Sequence, residues 1–193
     1  MQINKIKSKL GPLWFLLKFF LSYGILFFGY SLFISADTSI SPHFSCDSIT
    51  ERVALDSSEL IELFGYESST VQSTYGLSMD LRINGRMIAR VIEGCNAVSI
   101  MLLFIAFMIA FSNKIKTTVI YTISGIFILY LVNILRIALL TIGLYEVPQY
   151  GEVLHELVFP AILYGVTLTL WIVWIKKYAP KPKPKPKSNE EKN

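Results

Sequence analysis

The chain has 193 residues, of which 53% are apolar, and its mean hydropathy is +0.51. The apolar residues are gathered in long runs, which excludes an ordinary water-soluble domain and indicates an all-α polytopic membrane protein. The net charge of +4 and the pI near 9.0 come from lysines that flank these runs. They indicate a basic edge facing anionic lipid and argue against nucleic acid as a partner.

Four apolar runs predict four transmembrane helices, since about 20 apolar residues cross a bilayer. The predicted order is a basic N-terminus (1–12), the first span (13–34), a polar segment (35–94), the second span (95–111), a basic turn (112–117), the third span (118–145), a short turn (146–152), the fourth span (153–175) and a Lys/Pro tail (176–193). The first run exceeds the apolar stretch of a secretory signal, so we expect a retained helix.

The distribution of lysine and arginine predicts the orientation of these spans, because short basic loops stay in the cytoplasm. Lysines precede or begin the first span, fill the turn after the second and follow the fourth. The segment 35–94 has four arginines, nine acidic residues and no lysine, and the turn after the third span has no basic residue. We therefore expect both termini in the cytoplasm and the segments 35–94 and 146–152 outside.

The polar segment 35–94 predicts a small extracytoplasmic element. Apolar residues at helical spacing between residues 49 and 63 indicate one or two short amphipathic helices, with Asp56–Glu59 as a cap between them. Alternating apolar residues then surround Asn84-Gly85, which is a strong signal for a β-hairpin. The hairpin leads almost directly into Cys95, so it is expected to hold the thiol at a fixed height.

Arg136 lies in the otherwise apolar third run, where a guanidinium in lipid costs about 2.5–3.5 kcal/mol. It lies about 13 Å below the outer end of that helix at Tyr145, given a rise of about 1.5 Å per residue. Cys95 and His155 begin the neighbouring spans on the same side. Since an arginine head snorkels towards the interface, the three side chains are expected to meet in one pocket.

A thiol, an imidazole and a guanidinium together are typical of nucleophilic catalysis. A helix N-terminus and a nearby cation favour a Cys95 thiolate. Taken alone, each residue has a simpler interpretation: Cys95 as a membrane-edge residue or the partner of Cys46 in a disulfide, His155 as a packing residue, and Arg136 as a structural or lipid-binding residue. His43, in the polar segment, is interpreted as a surface residue.

Three further polar residues are candidates for a supporting role. Asn133 and Glu152 each lie three residues before Arg136 and His155, so each pair shares a helix face. Either is equally interpreted as a helix-capping or helix-packing residue. Asn96 is a candidate hydrogen-bond donor to a substrate carbonyl. Two histidines and scattered carboxylates offer no metal-ligand spacing, and we expect neither a metal nor a cofactor.

Three short motifs resemble, in order and spacing, the Cys, Arg and His motifs of the exosortase/archaeosortase family. They are Glu93-Gly94-Cys95-Asn96-Ala97, Asn133-Ile134-Leu135-Arg136-Ile137 and Leu154-His155-Glu156. The resemblance covers about residues 85–177 and is greatest to the compact F-type exosortases. Ala97 stands where many members have glycine.

The resemblance implies a cysteine transpeptidase of the bacterial cytoplasmic membrane that acts on secreted proteins with a C-terminal sorting signal. Cys95 is then the nucleophile, His155 the general acid or base, and Arg136 the stabiliser of the oxyanion or thiolate. Two other functions stay open: a thiol-redox protein using Cys46 and Cys95, and a non-enzymatic assembly subunit. The oligomeric state is not predicted.

Overall fold

The computed structural model describes the backbone of residues 2–40, 46–112 and 114–178, and in the first of these ranges it describes the side chains of residues 13–37. The predictions for His43 and for most of the Lys/Pro tail lie outside the described residues. The described chain forms a bundle of long apolar helices with a small layer of one helix and one sheet at one end.

Five helices make up most of the described chain: α1 (Gln2–Ile40), α2 (Ser48–Leu63), α3 (Val98–Ala110), α4 (Ile115–Glu146) and α5 (Phe159–Lys177). Three segments are long and apolar enough to cross a membrane, namely Leu13–Asp37, Ile115–Glu146 and Pro148–Lys177. They correspond to the first, third and fourth predicted spans. The second predicted span is a 13-residue apolar helix, α3, which is shorter than the others.

A three-stranded antiparallel sheet follows α2, with β1 (Ser68–Gln72), β2 (Ser78–Ile83) and β3 (Arg86–Ile92) in the order β1-β2-β3. The predicted hairpin is confirmed as β2–β3. Its two-residue turn is Asn84-Gly85, both with positive φ (50° and 75°), as a type I′ turn requires. The register shifts by one residue at Leu81/Arg82, which is a β-bulge. The sequence analysis did not predict β1.

The helix α2 is one continuous helix, so the predicted cap at Asp56–Glu59 is wrong. The N-terminal cap is Asp47, whose carboxylate accepts a hydrogen bond from the Thr50 amide at 2.9 Å. Within the helix, Asp56 pairs with Arg52 one turn earlier at 2.7 Å. Asp56 also accepts a hydrogen bond from the Tyr130 hydroxyl of α4. The Asp56 carboxylate thus has partners on α2 and on α4, so it does not compete for backbone amides and does not interrupt α2.

Two hydrophobic cores lie one above the other along α4. The outer core joins α2, the sheet and the upper part of α4, and its buried members include Val53, Ile61, Leu81, Ile83, Ile137 and Ala138. The inner core joins α3, the middle of α4 and α5, and includes Phe104, Met108, Leu129, Leu163 and Trp174. Tyr130 packs against both cores. The upper third of α4 is therefore part of the outer layer and not only of the helix bundle.

We expect Gly125→Ala to destabilise the protein, because a Cβ at residue 125 of α4 would overlap the ring of Phe104 in α3. Phe104 is fully buried, so the ring has little room to move. Overpacking of this kind costs about 1–3 kcal/mol. The measurement is the thermal unfolding of the detergent-solubilised protein, with Gly24→Ala as the matched control, since a Cβ at residue 24 meets nothing within 4 Å. Equal melting temperatures for the two variants would contradict the close α3–α4 contact.

Candidate active site

Cys95 is held between the sheet and the helix bundle. The strand β3 ends at Ile92, a 3₁₀ turn covers Glu93–Cys95, and α3 begins at Val98. The thiol therefore lies just before the helix and not in its first turn. Ala97 between them has a left-handed backbone (φ 59°), which glycine adopts freely and which costs an L-residue about 1 kcal/mol.

Asn96 fixes the turn that carries the thiol. Its Oδ1 accepts a hydrogen bond from the amide of Val98, the first residue of α3, at 3.0 Å. Its Nδ2 donates to the Tyr30 hydroxyl at 2.9 Å and to Thr50 Oγ1 at 3.1 Å. Both amide hydrogens are thus engaged within the protein, which leaves none for the predicted bond to a substrate carbonyl. Asn96 ties the Cys95 turn to α1 and α2 instead.

Asn133 joins Cys95 to Arg136. It is fully buried on α4, and its Nδ2 donates to the Cys95 carbonyl oxygen at 2.9 Å. Its Oδ1 accepts a hydrogen bond from Arg136 Nη1 at 3.2 Å, which is the contact expected for residues three apart on one helix face. One amide therefore sets the position of the Cys95 backbone and one end of the guanidinium.

Cys95, Arg136 and His155 line one cavity of about 250 Å³. Residues 88–91 of β3 form one side, and α4 contributes the remaining wall with Ile137, Leu140, Thr141 and Leu144. The cavity lies where the outer layer meets the bundle. The three predicted catalytic residues thus come from three separate elements and face a common space.

The Arg136 guanidinium has capacity for another ligand. Its Nε is buried and makes no hydrogen bond among the described residues. The ion pairs within the described ranges are Arg52–Asp56 and Arg90–Asp80, so no described carboxylate neutralises Arg136. A guanidinium with an unsatisfied N–H that lines the same cavity as a half-buried thiol is suited to stabilising a thiolate or the oxyanion of a tetrahedral intermediate.

His155 lies in a π-helical turn, Leu154–Val158, between a short helical turn at Gly151–Val153 and α5. Such turns are rare and occur frequently at functional sites. Its side chain is exposed at the cavity and makes no hydrogen bond to the described part of the chain. Glu152 is also exposed, does not line the cavity and makes no described contact with His155. The pairing proposed for Glu152 and His155 is therefore not observed.

Arg90 is a cavity residue that the sequence analysis missed. It lies on β3, where its Nε binds Asp80 Oδ1 of β2 at 2.9 Å, and its guanidinium lies 5.7 Å from the centre of the Tyr75 ring. It also lines the cavity beside Arg136. The alternation in β2 and β3 predicted the hairpin but did not reveal which strand residues border the thiol.

Cys46 differs from Cys95 in its surroundings. Both are free thiols, but Cys46 is only 6% exposed within the outer core, whereas Cys95 is half-buried at the cavity. Burial raises the pKa of the Cys46 thiol to about 11, and the nearby carboxylates of Asp47 and Glu51 act in the same direction. Cys46 is therefore an unreactive thiol at neutral pH.

We expect iodoacetamide to modify Cys95 before Cys46 at about pH 8. With a pKa of about 11, only about one Cys46 thiol in a thousand is ionised at that pH, and the fraction rises about tenfold with each pH unit until the pKa is reached. The measurement is peptide mass spectrometry of the labelled protein over time. Cys46→Ala should leave the fast labelling unchanged and Cys95→Ala should remove it. Fast modification of Cys46 at this pH would contradict its burial.

Comparisons of this chain with models of protein families, with curated proteins and with solved structures give no match. Within the described ranges, no group of three His, Cys, Asp or Glu side chains is arranged to hold a metal ion. What the cavity offers chemically is a nucleophilic sulfur, an imidazole for proton transfer and a guanidinium for negative charge.

Proposed function

We propose that this chain is a membrane-embedded cysteine transpeptidase or peptidase that cleaves the C-terminal sorting signal of secreted proteins through a thioacyl intermediate. The observation that carries the proposal is the shared cavity of Cys95, Arg136 and His155. The resemblance of their sequence motifs to those of exosortases supplies the substrate class, which is secreted proteins with a C-terminal sorting signal. Such a signal consists of a short motif, a hydrophobic helix and a basic end.

The chemistry assigns one role to each side chain. The Cys95 thiolate attacks the scissile carbonyl carbon, and the oxyanion that forms is stabilised by Arg136. The C–N bond then breaks, His155 gives a proton to the leaving amine, and a thioester remains on Cys95. A second nucleophile, either water or an acceptor amine, attacks the thioester. Its proton passes to His155, and the thiolate is released.

The length of α4 supports a site at the outer surface of a bacterial cytoplasmic membrane. Its 32 residues extend about 48 Å, whereas the hydrocarbon core is about 30 Å thick. If α4 enters at Ile115 beside the basic turn, about 20 residues suffice to cross, and Arg136 then reaches the outer boundary. The packing of Ile137 and Ala138 in the outer core is consistent with this depth. The guanidinium then avoids the full cost of burial in lipid.

We also propose that α3 provides the fourth crossing, with both termini in the cytoplasm. At its lower end, the Phe111 carbonyl accepts a hydrogen bond from Trp174 Nε1, near the C-terminal end of α5. At its upper end, the chain reaches Cys95 at the cavity. The short helix therefore extends between the same two levels as its neighbours. The basic residues Lys114 and Lys116 after it favour a cytoplasmic turn.

The experiment is to trap the thioacyl intermediate. The protein is purified under acid quench from cells that make its natural secreted partners, and its intact mass and peptides are measured by mass spectrometry. We expect an adduct on Cys95 that neutral hydroxylamine removes and that is missing from Cys95→Ala. The peptide in the adduct also identifies the substrate. A protein that never carries a hydroxylamine-sensitive adduct would contradict the proposal and favour the assembly subunit.

A further inference from the structure

The strand β3 has one unpaired edge, and this edge lies at the cavity. In the order β1-β2-β3, β3 pairs with β2 on one side and with no described strand on the other. Four consecutive residues, Ile88 to Val91, line the cavity. The face of a strand contributes only alternate residues, because successive side chains point to opposite sides. The bulge at Ile88 interrupts this alternation, but Ala89, Arg90 and Val91 are still three consecutive residues, so the cavity borders the edge of β3.

This edge is open to pairing with another chain. Alternate residues of an edge strand present backbone N–H and C=O groups that have no partner in the sheet. Proteins often block such edges with proline or charged residues, and β3 contains no proline. Its charged residues are Arg86 and Arg90, and the Nε of Arg90 is engaged with Asp80 of β2. The β-bulge leaves Ile88 as the extra residue of β3, and bulges are common next to active sites.

The edge is also fixed in position relative to the thiol. Only the short turn Glu93–Cys95 separates the end of β3 from Cys95, and Asn96 and Asn133 tie that turn to the bundle. The stretch Ile88–Val91 is about 10 Å long at about 3.3 Å per residue, which matches three or four residues of an extended peptide. A peptide aligned along this stretch would lead towards the sulfur.

The side chains around the edge suit a peptide backbone. Arg90, Arg136 and His155 border the cavity, and no Asp or Glu of the described ranges does. The carbonyl oxygens of a bound peptide would therefore lie near hydrogen-bond donors, most of them cationic, and not near carboxylates that repel them. Several apolar residues of α4 form the opposite wall, which accommodates side chains of an extended segment.

On the basis of the proposed function, we propose that the substrate binds as a fourth strand on the free edge of β3. Backbone hydrogen bonds from Ile88–Val91 hold the residues beside the scissile bond in an extended form, and this pairing sets the scissile carbonyl against Cys95. The mode is β-strand addition, in which main-chain bonds supply affinity and pockets for alternate side chains supply specificity.

The test uses a covalent peptide probe on the full-length protein in detergent. The probe is acetyl-tetraalanine vinyl sulfone, which alkylates Cys95, and two variants of it carry a single N-methyl group on adjacent amides. Strand pairing uses only every second amide of the added peptide. We expect one methylated probe to react with Cys95 at least about fivefold more slowly than the parent, and the other to react within about twofold of it.

The controls separate this inference from the proposed function. Methyl vinyl sulfone, which has no peptide, reports the intrinsic reactivity of the thiol, and Cys95→Ala reports labelling elsewhere. Equal rates for the two methylated probes, or a peptide probe no faster than methyl vinyl sulfone, would overturn strand addition. Neither result affects the thioacyl test, which depends on the adduct formed with a natural substrate. Loss of that adduct would instead reject the enzyme itself.

Discussion

Cys95→Ala is expected to abolish processing of the secreted substrate, with a loss of at least about 10³-fold in rate. Without the sulfur no thioester can form, and removing the nucleophile from a set of catalytic residues lowers the rate by a factor of this size or more. The fold should persist, because the thiol makes no described hydrogen bond and its side chain is only half-buried. The measurement is the mobility on a gel of a tagged substrate, identified from the trapped adduct.

Cys46→Ala is the matched control for this variant. It removes the other cysteine of the chain, which is buried in the outer core and is not among the residues that line the cavity. We expect processing by Cys46→Ala to stay close to normal, after correction for any loss of folded protein caused by the smaller buried side chain. Equal and complete loss of processing in both folded variants would favour a redox function that uses the two thiols together.

Arg136→Lys is expected to lower the rate of thioacyl formation by about 10² or more, although the positive charge is retained. Lysine offers an ammonium group in place of the planar fork, so it cannot hold the Asn133 contact with one nitrogen and present the rest of a rigid fork to the cavity. Loss of one oxyanion donor typically has an effect of this size. The measurement is the rate of appearance of the Cys95 adduct after mixing with the substrate.

Arg52→Lys is the control for the arginine substitution. Arg52 is largely exposed on α2 and pairs with Asp56 outside the cavity. A surface ion pair contributes about 1 kcal/mol or less, so the variant should fold and react normally. Near-normal rates for Arg136→Lys as well would show that a single positive charge is sufficient. That result would contradict a role in which two nitrogens of the guanidinium act at once.

The main elements of the fold were predictable because their signals are local. Three long apolar runs in the sequence correspond to three helices of membrane-spanning length. The Asn84-Gly85 pair predicted the hairpin, since its two residues adopt the positive φ angles of a tight turn. The second apolar run is a shorter helix than predicted, since its first residues form the turn around Cys95 instead.

Other parts of the fold depend on contacts between distant residues and were not predictable. The Asp56–Glu59 group resembles a helix cap in sequence, but Tyr130, 74 positions later, supplies a partner that keeps it in α2. The strand β1 has weak apolar alternation, and its pairing with β2 sets it in the sheet. The sequence analysis assigned the upper part of α4 to the lipid-exposed span, whereas Ile137 and Ala138 pack in the outer core against residues that are distant in sequence.

The candidate site was partly predictable for the same reason. Cys95, Arg136 and His155 stood out because a reactive or charged group in an apolar run is costly, and they line one cavity. Helical spacing predicted the contact between Asn133 and Arg136, but it also suggested one between Glu152 and His155, whereas Glu152 is exposed and does not line the cavity. Arg90 and its neighbours in β3 line the cavity because of the way the sheet docks on the bundle, and single-sequence patterns do not encode that docking.

The π-helical turn at Leu154–Val158 has a consequence for the way this chain tolerates changes in length. A π turn contains one residue more than the α-helical turn it replaces. Because the π turn takes up this extra residue, the segments on either side keep their rotation about the helix axis. Deleting one residue of the turn other than His155 would restore an α turn and leave α5 in phase with the chain before it, whereas a deletion in a regular α-helix rotates one side by about 100°, given about 3.6 residues per turn. The cavity thus depends more on which residue of this turn is kept than on how many residues the turn contains.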